Sequence, residues 1–141
     1  MHKSKILHRL RQLPVICAWR TGIFFASKSL YRNIVVCDVT STQSQHRHRF
    51  ATDVKSALHD LALTSPEQLQ RIQRHIRYIA RAEIDNRFEY FASSRLLLLH
   101  VDYDQRDVDT RNSIKRDIVE AATSAQVQSE RESDWPWHPQ V

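Results

Sequence analysis

Three carboxylates have the type and placement to do chemistry: Asp38, Asp102 and Asp104. Asp38 stands near the end of the β-branched run IVVCDV at 34–39, and the other two follow the leucine-rich run that ends at Val101. If those runs are neighbouring strands, their ends bring the three acids together at the strand ends, where open sheets bind ligands. Oxygen donors of this kind suit Mg2+, and a Mg2+ held there would serve phosphodiester cleavage or transfer. Asp102 and Asp104 are equally the acids that open a following helix, so both readings stand.

Other chemistries find less support. Cys37 with His46 and His48 offers zinc donors, yet the spacing matches no known knuckle and a fourth ligand is missing. The eight histidines form no HExxH pair, and no serine sits in a GxSxG elbow. The single glycine, Gly22, excludes phosphate cradles of the P-loop and dinucleotide types, which need several glycines where backbone approaches phosphate. The two cysteines, Cys17 and Cys37, make no disulfide framework and read as buried thiols of a reducing compartment.

Charge is the stronger signal. Of 21 Lys and Arg and 16 Asp and Glu, nine bases and one acid fall in residues 1–50, so a net +5 conceals +8 followed by −3. Such an arm suits phosphate backbones, anionic lipid surfaces or an import receptor. Arg47 and Arg49 close it. Beyond it, Arg74, Arg77 and Arg81 fall opposite an apolar stripe of Leu69, Ile72, Ile76 and Ile79 when the segment is drawn as one helix. An arginine row of this kind either grips successive phosphates or is a solvated face.

The elements that must position these residues follow from periodicity. Ile6, Leu7, Leu10 and Leu13 with interleaved Lys and Arg give a basic amphipathic helix that Pro14 stops. Residues 1–33 therefore form a basic N-terminal extension, whose acid-free composition is that of an organelle-targeting segment. The apolar run at 13–26 is short and carries Arg20, so no transmembrane span is expected. A buried strand at 34–39, a polar loop at 40–49 and a helix at 50–63 come next. Ser65, Pro66 and Gln68 then make a helix start, and that helix continues to 83–86. Residues 87–101 read as strand, turn at Ser93 and Ser94, and strand, with four leucines buried on both faces. A last helix carries Val108, Ile114, Ile118 and Ala122, and 126–141 is a disordered tail. The fold expected is one small α+β domain over 34–125, dominated by helix.

Residues 31–50, YRNIVVCDVTSTQSQHRHRF, resemble the opening of the CRISPR-associated protein 2 family, the small spacer-acquisition subunit. SPEQLQRIQRHIRYI and DNRFEYF are similar to that family's second helix and following strand. The resemblance implies an incomplete ferredoxin-like arrangement, a homodimer, an integrase partner, double-stranded DNA held by basic residues, and Asp38 as the metal-associated aspartate. Two functions are thus expected as alternatives. One is a small intracellular nucleic-acid-binding protein, an accessory of DNA integration or a weak Mg2+-dependent nuclease, cytoplasmic in a prokaryote. The other is a non-enzymatic helical assembly protein, carried to a mitochondrion by its N-terminus or held on an anionic membrane through residues 1–13.

Overall fold

A computed structural model describes residues 28–39, 44–103 and 109–133. They form a single α+β layer pair, three helices on one face of a five-stranded mixed sheet. In chain order these are β1 (Ser29–Tyr31), β2 (Ile34–Asp38), α1 (Ser44–Thr64), α2 (Pro66–His75), β3 (Tyr78–Arg81), β4 (Phe88–Phe91), β5 (Leu96–Leu99) and α3 (Thr110–Ser133). The strand order is β1-β2-β3-β5-β4. β2, β3 and β5 run parallel, and the hairpin partners β1 and β4 are antiparallel at the two edges.

Parallel strands must be covered on both faces, which is why the three central ones read as apolar runs. In β5 all four leucines are buried, as the sequence leads one to expect. Leu97 and Leu99 join Ile34, Val36, Phe50, Leu58, Ile72, Ile79 and Ile118 in the core beneath the helices. Leu96 and Leu98 join Cys37, Ala80 and Phe91 on the reverse face. Burial holds the Cys37 thiol up at about 12, with the Asp38 carboxylate adding to the effect, so the thiol stays protonated at neutral pH. Among the described residues no helix is long and apolar enough to cross a membrane.

The segments joined through α1 and α2, β2 and β3, are direct neighbours. A ferredoxin-like split βαβ leaves room for another strand between the two, so the incomplete ferredoxin-like expectation gives way to three adjacent parallel strands. Other corrections concern boundaries. α1 starts at Ser44, inside the stretch read as loop, because a polar first turn carries no periodicity to announce it. α2 stops at His75, and residues expected on its last turns form β3. Ile76 is already extended, with φ −123° and ψ 120°. Ser29–Tyr31, assigned to the N-terminal extension, is a strand of the sheet. Residues 126–133, assigned to the tail, complete α3. The basic helix at 3–13, the whole of the targeting segment up to residue 27, Cys17 and the end of the tail lie outside the described residues.

Candidate nucleic-acid interface

The parallel strands give the sheet two distinct edges, and the residues singled out from sequence divide between them. At the C-terminal edge, Asp38 and Arg81 are register partners. Asp38 follows Ile34 and Val36 on the helix-covered face, which buries its carboxylate completely. Burying a charge is costly without a partner, and Arg81 supplies one. Its Nη1 donates to Asp38 Oδ2 at 3.0 Å and its Nε donates to the Val101 carbonyl at 2.8 Å.

Tyr103 extends this group towards α1. Its hydroxyl donates to Asp53 Oδ2 at 3.0 Å, and the guanidinium carbons of Arg49 and Arg81 both lie over its ring, 4.4 and 4.9 Å from the centroid. Burial first, and then the Asp53 carboxylate, push the phenol well above its ordinary range. Arg49 is also paired with Asp53 at 4.0 Å and lines a cleft of about 390 Å³ with Thr110 and Arg111 at the start of α3. Asp102 is exposed beside a second cleft of about 340 Å³ that also reaches His100 and Asp117. Asp117 is nearly buried between Arg87 and Arg116, at 3.2 and 3.6 Å. Burial raises its carboxyl above the ordinary range despite both guanidiniums.

The proposed metal ligands fare unequally. Asp38 is engaged by Arg81, Asp102 is exposed, and Asp104 lies outside the described residues, as does the side chain of Arg47. Among the described residues no three His, Cys, Asp or Glu gather in a way that could hold a metal ion.

The opposite, N-terminal edge is built from the residues that lead into β2, β3 and β5. Backbone bonds stitch these segments together: Val35 N donates to the Arg77 carbonyl, and Arg77 N to the Arg95 carbonyl, each at 2.8 Å. Asn33 in the β1–β2 turn is tied to Gln73 at the end of α2, with Gln73 Nε2 donating to Asn33 Oδ1 at 3.1 Å. Arg32, Arg74 and Arg77 are exposed here, and Arg71 and Arg95 half-buried. Arg32 and Arg77 lie over the rings of Tyr31 and Tyr78, at 5.7 and 5.8 Å.

The arrangement bears on one imidazole. The His75 imidazole is held below its ordinary value by burial and then by Arg74, Arg95 and Arg71, with only Glu130 opposing. Three guanidiniums thus act on one ring. A bland role exists for part of the group: Arg95 Nη2 donates to the carbonyls of Gln73 and Arg74, both at 2.8 Å, and so caps the C-terminus of α2.

The backbone adds a second observation. Among the described residues the only non-glycine residues with positive φ are Arg32, at 52°, and Arg95, at 54°. Both sit in hairpin turns at this edge, where glycine or asparagine is the ordinary occupant. A side chain with a Cβ costs roughly 1 kcal/mol or more in that region.

The arginine row imagined on one helix does not exist as such. Arg74 is on α2, Arg77 is in the bend after it, and Arg81 is on β3 at the other edge, nearly buried against Asp38. Arg74 and Arg77 are instead joined by Arg32, Arg71 and Arg95, which sequence reasoning missed. The signal that could have found two of them was an arginine in each of the glycine-free turns YRN and SSR. No protein-family model, curated protein or solved structure matches the chain.

Proposed function

We propose that this protein binds nucleic acid, gripping backbone phosphates with the arginines on the N-terminal edge of its sheet. The observation that carries the reading is the placement of arginine at both left-handed turn positions of that edge. Local stability favours glycine there; Arg95 offsets part of that cost within the fold by capping α2, whereas Arg32 is exposed, and its placement supports a use outside the fold. Exposed Arg74 and Arg77 lie between them on the same edge. Guanidinium forks match phosphate oxygens in pairs, and several on one edge act on successive phosphates of a strand. The ligand class agrees with that implied by the resemblance at 31–50, 65–79 and 85–91. Binding alone is proposed. A metal-dependent nuclease would rest on Asp38, whose carboxylate is buried against Arg81.

Arg32→Gly separates this function from a structural role. Unfolding in urea should show unchanged stability or a gain of up to about 1 kcal/mol, because glycine relieves the left-handed strain. Affinity for a 20-mer duplex or single strand at fixed salt should fall by roughly threefold to tenfold, the loss of one phosphate contact. Unchanged affinity in Arg32→Gly and also in Arg77→Gln would refute the reading.

A further inference from the structure

One part of the arginine edge is concave. Arg74, His75, Tyr90, Arg95, Ser129 and Glu132 help to line a cleft of about 190 Å³ between the end of α2, the β4–β5 hairpin and the last turns of α3. That volume is the share of roughly six water molecules, enough for one phosphate group with part of its sugar. A strand running along the open edge leaves such a recess unfilled, whereas a protruding end can enter it.

The walls of the cleft are fixed in place. Arg95 is held by its turn backbone and by the two carbonyls that accept from Nη2. Its Nε is buried without a hydrogen-bond partner and out of reach of the cleft, so what Arg95 brings to a ligand there is its charge more than a free donor. The Tyr90 hydroxyl donates to the His75 carbonyl and braces that side. Arg74 is exposed at the mouth, and Ser129 brings a hydroxyl from α3. Cationic charge stands at the cleft: after burial, Arg74, Arg95 and Arg71 disfavour a proton on His75. Glu132, tied to Gln128 of its own helix at 3.5 Å, is the carboxylate that opposes it among the described lining residues.

A phosphodiester carries one negative charge and lies within the strand. A terminal phosphomonoester protrudes, carries about −1.5 to −2 at pH 7, and offers three acceptor oxygens. Paired guanidiniums suit that group best. We propose that this cleft binds the terminal phosphate of a nucleic-acid strand, so that the protein prefers phosphorylated ends; the inference rests on the backbone-phosphate reading above.

The test uses the full chain and one short oligonucleotide in three forms, with a 5′-phosphate, a 3′-phosphate or hydroxyls at both ends, at one salt concentration. One phosphorylated form should bind about tenfold more tightly than the hydroxyl form, as expected for a charge-assisted multidentate contact. Arg74→Gln should reduce that ratio towards one, Glu132→Gln should widen it, and inorganic phosphate should compete away the difference while leaving hydroxyl-ended binding in place. Equal affinity for the three forms overturns the end preference and leaves the backbone reading intact. Failure to bind any of them overturns both.

Discussion

At the scale of single residues, the pair of Asp38 and Arg81 shows how a chemically suggestive acid can serve the fold. Asp38 was legible as a polar residue closing an apolar strand, and that placement invites a metal. Its partner was not legible, because Arg81 is 43 residues away and its spacing from Arg74 and Arg77 suits a helix face. Only the register of β2 against β3 brings the two together. With the Asp38 side chain fully buried and the Arg81 side chain 13% exposed, the desolvation of each ion is offset in part by the other. Arg81→Ala removes the guanidinium that pairs with a buried carboxylate, and a loss of about 3–5 kcal/mol is expected in urea unfolding. The double change Asp38→Leu with Arg81→Met removes both charges and should recover most of it. A single-variant loss below about 1 kcal/mol would show that water or another group compensates Asp38.

At the scale of elements, the sequence was clearest where punctuation and burial agree. Pro66 after Ser65 starts α2, and Ser93 with Ser94 falls in the turn between β4 and β5. It was least clear at the end of α2. Leu69, Ile72, Ile76 and Ile79 keep helical spacing across a break that no glycine or proline marks, yet Ile76 is extended and Ile79 lies in β3. Backbone bonds from Val35 to Arg77 and from Arg77 to Arg95 favour the strand, so tertiary pairing overrides a local pattern. β1 escaped notice for a similar reason, being three residues long and lodged in a cationic stretch. Four leucines in a row did foretell two covered faces. Leu97 is buried beneath the helices and Leu98 on the reverse side, each fully. Leu97→Ala and Leu98→Ala should therefore each cost about 2–5 kcal/mol in denaturant unfolding. A half-covered sheet would instead tolerate the second.

At the scale of the whole molecule, the split of +8 and −3 along the chain proved a poor map of where cations gather. Arg32 comes from the basic first third, while Arg71, Arg74, Arg77 and Arg95 come from the remainder, whose net charge is negative. Strand topology assembles them, because every segment leading into a parallel strand must arrive at the same edge. A candidate interface made this way has no linear motif, only arginines in turns and a bend that pairing brings into line. The count of phosphates engaged is measurable. For duplex DNA the slope of log affinity against log salt is about −0.9 per phosphate neutralised. Arg32→Gln, Arg74→Gln and Arg77→Gln should each make that slope shallower by about 0.9. Arg111→Gln, at an exposed position of the opposite edge, should leave it unchanged. If Arg111→Gln moved the slope as far as Arg77→Gln does, the attraction would belong to net charge and not to one edge of the sheet, because a diffuse field does not distinguish which cation is removed.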